Sequence, residues 1–219
     1  MAIAPVNKFL SVATPVAPGE QKVYEVPTGT SAILLYAQVS NVGINTYPTV
    51  TLIHRRESRS TGQTRDIRII KNIEVPPNDA AILVDGRLVL EKTATTLDRL
   101  YIVGSQTGIT TITNVQYYEP TGIATVTTQN PHNFVAGSEI TMSGIAMTCP
   151  SGSGITTTIF PSPQKSFVVD SIVGTVGVSK TFTATVGRAN GISHTYVSGG
   201  LVGPLQMEFI ASILENSTA

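Results

Sequence analysis

The sequence predicts an all-β protein: an antiparallel β-sandwich host domain with an inserted small β-barrel or sandwich domain. Three observations predict it. Val, Ile and Thr alternate with period two along most of the chain, and no segment shows a convincing period of 3.6. Gly, Pro, Asn and Ser punctuate at short intervals, as turns between short strands require. Charge nearly vanishes between Gly108 and Val202, after which the earlier strand pattern returns.

The elements follow in order. The opening "MAIAPVNKFLSVATPVAPGEQ" is apolar and extended, stiffened by Pro5, Pro15 and Pro18, and suits a strand added to its own sheet or to a neighbour's edge. "QKVYEVP" (21–27) alternates. "SAILLYAQVSNV" (31–42) is a long apolar strand of central character. "YPTVTLIHRR" (47–56) sets Val50, Leu52 and His54 against Thr49, Thr51 and Ile53. "TRDIRIIKNIEVP" (64–76) puts Ile67, Ile69 and Lys71 on one face. "DAAILVDGRLVLE" (79–91) carries Asp85-Gly86, a dipeptide that favours a tight hairpin turn. "LDRLYIVGS" (97–105) is one more strand. About seven strands at this spacing read as an antiparallel sandwich.

From Gly108 to Val202 the only charged residues are Glu119, Glu139, Lys165, Asp170, Lys180 and Arg188. The strands here are short: 122–129, 138–145, 165–174, 180–187 and 193–202. Five short strands with Gly turns describe a small barrel or compact sandwich. The end, "PLQMEFIASILENSTA" (204–219), resumes long alternation through Leu205, Met207 and Phe209. The economical organisation is a host formed by 1–107 and 203–219, with 108–202 inserted at a hairpin tip, where little packing is disturbed. The rival is two consecutive domains.

The totals restrict function. The chain has 219 residues, enough for a substantial core. Fourteen basic residues balance fourteen acidic ones, so a nucleic-acid partner is not expected. Charged residues are 13% of the chain, about half the usual share. Low charge at zero net charge suits a protein packed against neighbours, because nothing keeps copies apart. Cys149 is the single cysteine, which excludes an intrachain disulfide. The start lacks a basic segment followed by an apolar core, so no secretory leader is expected, and no apolar run is long enough for a membrane-spanning helix. The expected setting is a cytoplasm in which the chain stays soluble or assembles.

Of three histidines, His132 stands in "NPHNFVAGSEITMSG", which invites a catalytic reading. Pro131 forces Asn130 out of helical geometry, Asn133 suits a turn, and Phe134 can plug a barrel end. The residues Pro131, His132, Asn133 and Phe134 are therefore expected to form a structural corner. His132, Cys149, Asp170 and His194 show no metal-ligand spacing, and no serine stands in a nucleophile elbow. No paired carboxylates of the glycosidase kind are evident. Catalytic residues, metal and cofactor are all expected to be absent.

The hairpin 54–71 concentrates charge: Arg55, Arg56, Arg59, Arg65, Arg68 and Lys71 against Glu57 and Asp66. It suits either a solvated hairpin whose charges blunt a sheet edge or a contact to an acidic protein partner. Without interleaved aromatics it is poorly suited to stacking on bases. Ile3, Val6, Phe9 and Leu10 of the N-terminal arm are the matching apolar contact candidates. Cys149 lies in the long loop 146–163 and reads as a passive loop cysteine.

The blocks "GIATVTTQNPHNFVAGSEITMSGIAMTC", "FPSPQKSFVVDSIVG", "KTFTATVG" and "HTYVSGG" together resemble a β-module that recurs in virion structural proteins of tailed phages infecting marine cyanobacteria. "TSAILLYAQVSNVG", "NIEVPPNDAAILVDGRLVLE" and "FIASILE" resemble small β-sandwich virion proteins of the same phages. The resemblance implies a non-enzymatic, multi-copy structural protein of the particle, assembled in the host cytoplasm. It implies partners that are copies of itself and other virion proteins, on the capsid, neck or tail. The alternative is a receptor- or glycan-binding module of a tail or fibre, binding through the loops 146–163 and 188–194.

Overall fold

The computed structural model describes residues 6–217. Every regular element among them is a β-strand. In chain order these are β1 (Val6–Pro15), β2 (Gly19–Glu25), β3 (Thr30–Asn41), β4 (Thr49–Ser58), β5 (Thr64–Glu74), β6 (Ala80–Glu91), β7 (Thr96–Ser105), β8 (Thr110–Tyr118) and β9 (Ile123–Thr128). They continue with β10 (Glu139–Ser143), β11 (Ala146–Thr148), β12 (Thr156–Thr157), β13 (Ser166–Ile172), β14 (Thr181–Thr185), β15 (Thr195–Ser198), β16 (Leu201–Pro204) and β17 (Met207–Ser217). The all-β expectation holds.

The chain divides into two compact units. The first contains, of the described residues, 6–16, 20–105 and 206–217; the second contains 17–19 and 106–205. The first unit has two four-stranded sheets, ordered β1-β17-β3-β6 and β2-β7-β4-β5. Their inward side chains form one core that includes Leu34, Leu52, Leu90, Leu100, Ile102 and Phe209. Burying each such side chain stabilises the fold by about 1.5–3 kcal/mol. The second unit has a closed barrel, β10-β13-β14-β9-β8-β16, and a three-stranded sheet, β12-β11-β15. Its core is centred on Phe182, with Ile112, Val126, Ile140, Met142 and Val202.

Several sequence expectations need correction. Asp85-Gly86 is not a hairpin turn. β6 runs unbroken from Ala80 to Glu91 beside β3, and its register shifts between the pairs Leu34↔Leu88 and Tyr36↔Asp85. Long-range pairing with β3 keeps Leu83 and Leu90 in the core, so the dipeptide is absorbed as a β-irregularity. β7 and β17, which flank the second unit in the chain, lie in different sheets, so the insertion does not open a hairpin between adjacent strands. The stretch 193–202 is two strands, parted at Gly199 and Gly200, which have φ of 73° and 110°. Of the two expectations for the N-terminal stretch, the first is what Val6–Pro15 does: it is a strand of its own sheet, paired antiparallel with β17 from Val6↔Ser217 to Pro15↔Glu208. β4 does not alternate cleanly: Val50 to His54 are all buried.

Candidate functional site

The corner between β9 and β10 is built from local backbone chemistry. The His132 N–H donates to the Ser179 carbonyl at 3.0 Å, and the Gly177 N–H donates to the His132 carbonyl at 3.3 Å. The Phe134 N–H donates to His132 Nδ1 at 3.3 Å. That bond fixes the imidazole over its neighbour, so His132 stacks on Phe134 and meets the edge of Phe182 at 5.3 Å between centroids. His132 is 3% exposed and Phe134 5%. Burial pushes the His132 imidazole below its usual range, against a hydrogen bond to the Thr181 backbone. A neutral, stacked imidazole in an aromatic cluster packs the barrel end.

Beside this corner lies a cleft of about 360 Å³, bounded by the start of β8, the 130–134 corner, the start of β10 and the end of β16. Thr110 lines it, and its buried Oγ1 has no hydrogen-bond partner. Glu139 lines its rim and is exposed.

The fold also joins two residues that sequence spacing left apart. Cys149 Sγ lies 3.9 Å from His194 Nε2. His194 is 8% exposed, stacks on Phe160 at 4.1 Å and lies 5.7 Å from the Tyr117 ring. Burial lowers its affinity for a proton, against a hydrogen bond to the Thr148 backbone. An imidazole held neutral does not stabilise a neighbouring thiolate, which is what an activated cysteine needs. The two residues are 45 apart in sequence, so no local motif signals them.

The candidate basic contacts separate into two groups. Arg55 Nε donates to Asp66 Oδ1 at 2.6 Å, its Nη1 reaches Glu20 Oε1 at 2.8 Å, and its guanidinium lies 4.2 Å from the Tyr101 ring centroid. Arg56 grips Asp98 through two bonds of 2.7 Å. Arg59 donates to the Thr93 carbonyl at 2.7 Å. Arg65, Arg68 and Lys71 are exposed and form no salt bridge among the described residues. The local positive excess is thus carried by those three, on the edge strand β5, and by the exposed Arg59, whose partner is a neutral carbonyl.

Asp98 was not singled out by its sequence, although it is a charge inside an apolar strand. Its side chain is fully buried, receives the Glu91 N–H at 3.0 Å and lies 3.1 Å from His54 Nε2. Burial alone raises a carboxyl's pKa, but Arg56, the Glu91 N–H and His54 outweigh it and hold Asp98 below the usual range.

Of the apolar candidates, Ile3 lies outside the described residues. Val6 is 60% and Phe9 76% exposed, while Leu10 packs against the core. Phe9 begins a row across the outer face of its sheet. It pairs with Leu214, Leu214 with Ile33, and Ile33 with Val89, which is 57% exposed. A second row runs Ala13, Ile210, Gln38 and Ile82, with Ile210 45% and Ile82 54% exposed. No helix among the described residues is long and apolar enough to cross a membrane.

No protein-family model matches the chain, and no curated protein does. Among solved structures, the chain is similar to the infectious bursal disease virus VP2 of a subviral particle at 7% identity and a TM-score of 0.29, covering 100% of this chain and 42% of that one. It is similar to a chain of the T13 particle of the same virus at 8% identity and a TM-score of 0.32, covering 100% of this chain and 40% of that one. The tandem CBM22-1-CBM22-2 domain of Paenibacillus barcinonensis Xyn10C aligns at 8% identity and a TM-score of 0.26, over 100% of this chain and 93% of that one. This chain therefore spans less than half the length of the two viral chains, and similarity this low carries no inference about role.

Proposed function

We propose that this protein is a non-enzymatic structural component of a phage particle, present in many copies and assembling through the face of its β1-β17-β3-β6 sheet. The observation that carries the proposal is the row Phe9–Leu214–Ile33–Val89. It crosses four strands, about 14 Å at the usual strand spacing. Both of its ends are exposed and none of its members is charged; the next row on this face, Ser11–Ser212–Tyr36–Asp85, is polar, and the apolar Ala13–Ile210–Gln38–Ile82 row lies beyond it. An apolar stripe of this kind is stabilised by being covered. A second copy turned by a twofold lays Phe9 over Val89 of its partner, so the stripe suits itself. Zero net charge leaves little long-range repulsion between copies. The sequence resemblance to virion proteins of tailed cyanobacterial phages supplies the setting, whether capsid, neck or tail.

The experiment is incorporation into particles together with sedimentation of the isolated protein. The wild type self-associates and is recovered in many copies per particle. The double variant Phe9→Ser, Val89→Thr keeps its melting temperature, sediments as a monomer and is depleted from particles. A wild type absent from particles overturns the virion reading, and normal assembly of the double variant overturns the interface.

A further inference from the structure

We propose that Cys149 Sγ and His194 Nε2 together bind one soft monovalent cation of the copper(I) class. Strand pairing brings the two ligands together. Thr148 of β11 is the partner of Thr195 in β15, so the next step along the ladder sets Cys149 opposite His194. Two backbone bonds hold the strand ends there. The Cys149 N–H donates to the Ile155 carbonyl at 2.9 Å, and the Ser151 N–H donates to the Ser193 carbonyl at 2.8 Å. The imidazole is fixed in turn: it is 8% exposed, stacks on Phe160 at 4.1 Å and bonds to the Thr148 backbone. Metal-binding imidazoles are commonly oriented by a backbone contact of this kind. Cys149 is partly exposed, so the pair opens to solvent on the thiol side.

The separation and the surroundings select the ion. Sγ and Nε2 are 3.9 Å apart. Bonds of about 2.3 Å to sulfur and about 2.0 Å to nitrogen set two ligand atoms about 3.5 Å apart at a tetrahedral angle and about 4.3 Å apart in a line. The observed distance lies between these, so an ion fits in the place of the thiol proton and needs no further cavity. A tetrahedral zinc site is completed by further side chains, and no group of three or more His, Cys, Asp and Glu that could hold a metal occurs among the described residues. Calcium and magnesium need oxygen ligands, whereas the neighbours here are the rings of Phe160 and Tyr117. A thiolate beside an imidazole favours copper(I), which is stable with two ligands in a near-linear array. Binding forms one S–Cu and one N–Cu bond, breaks the S–H bond and releases one proton to solvent, with no electron transferred. Burial keeps the His194 ring neutral, so it has a lone pair for the metal. A neutral imidazole does not activate the thiol as a nucleophile, but a bound cation displaces the thiol proton itself.

The test uses the full chain without oxygen, with copper(I) as the probe in competition with bicinchoninate, and zinc(II) as a second arm. The wild type takes one copper(I) per chain, and zinc(II) at the same concentration does not displace it. Cys149→Ser abolishes binding. His194→Gln weakens it at least about tenfold, the lower bound for a residue that merely supports a metal ligand. Circular dichroism shows whether each variant is folded. A reporter in the unaltered chain serves if His194→Gln does not fold. Copper(I) is diamagnetic, so nitrogen NMR follows the ring nitrogens of His54, His132 and His194 directly, and only those of His194 move as the ion is added. The proposal is overturned if copper(I) stays with bicinchoninate, if zinc(II) binds more tightly, or if folded Cys149→Ser binds. It is also overturned if folded His194→Gln binds as the wild type does, which is binding by the thiol alone, or if the His194 ring nitrogens do not respond.

Discussion

His132 stacks on Phe134 with ring centroids 4.9 Å apart and 17° between their planes, two residues apart in one corner. The stack is fixed by the bond from the Phe134 N–H and closed from the side by Phe182. His132→Ala removes the ring and the acceptor together. The expected loss is about 2–4 kcal/mol, a large-to-small core substitution with one lost hydrogen bond. Thermal melting followed by circular dichroism checks it. A variant as stable as the wild type places His132 outside the packing of the barrel end.

The two buried histidines of the second unit set a pH window. In the unfolded chain each takes up a proton near pH 6.5, its ordinary value, whereas in the folded chain burial holds each below that. Below pH 6.5 the unfolded chain therefore binds more protons, so stability is full above this point and is lost as pH falls through the window. Glu25 behaves likewise at lower pH. Hydrogen bonding to Lys22, aided by Arg99 and opposed by burial, lowers it from 4.5 to about 2. Its contribution persists until about pH 4.5 and then declines. Urea midpoints from pH 8 to pH 3 should show loss in two stages, and His132→Gln with His194→Gln should flatten the upper one. A midpoint unchanged between pH 7 and 5.5 contradicts the burial.

The buried carboxylate of Asp98 gathers Arg56, the Glu91 N–H and His54. Asp98→Ala strands a guanidinium and an amide, and the expected cost is about 3–5 kcal/mol. Asp98→Asn, which keeps one acceptor, costs less. Urea denaturation orders the two variants, and equal losses imply that charge is irrelevant there.

What the sequence revealed followed its periodicity. Alternation located β2, β3, β9 and β14 closely, because each buries one face and exposes the other. It missed β8, whose inward residues Thr110, Ile112 and Val115 are unevenly spaced by the register shift between Ile112 and Asn114. It misjudged Asp85-Gly86 because a turn signal is local and pairing with β3 is not. His54 was placed with Val50 and Leu52, and it is buried with them, but Asp98, its partner 44 residues on, was not foreseen. Pro131 and Asn133 are local backbone signals, and they lie between β9 and β10, outside any strand. The cleft beside them was not legible, since it needs Thr110, Glu139 and Pro204 from three separate strands.

Gly122 has φ of 74°, and a Cβ there would stand 2.7 Å from the Gly187 carbonyl carbon and 2.9 Å from the Arg188 nitrogen. Backbone cannot swing aside as a flexible side chain does. Gly122→Ala should therefore cost clearly more than the roughly 1 kcal/mol of an unfavourable φ alone. Gly152→Ala is the control, with φ of 80° and nothing within 4 Å of its added Cβ. Equal melting temperatures for the two variants would mean that the Gly187–Arg188 segment yields.

The last prediction separates the arginines that hold the first unit together from those free to meet a partner. Arg55 is committed to Asp66 and Glu20, and Arg56 to Asp98 and Glu91; hydrogen bonding to Asp66 and Asp98 respectively raises their proton affinity. Replacing both by Met takes an arginine away from four carboxylates, Glu20, Asp66, Glu91 and the fully buried Asp98, so stability falls. Arg65, Arg68 and Lys71 have no such commitment among the described residues, and exposed charges contribute little to stability. Replacing all three by Gln should leave the unfolding free energy within about 0.5 kcal/mol of the wild type. If β5 steers assembly, the same triple variant incorporates into particles more slowly at low salt, and its rate depends less on salt, because steering acts on the encounter and is screened. Incorporation rates at low and high salt, set beside the melting curves, distinguish the two groups. Identical salt dependence in the triple variant and the wild type would leave β5 as a charged edge that only prevents wrong strand pairing.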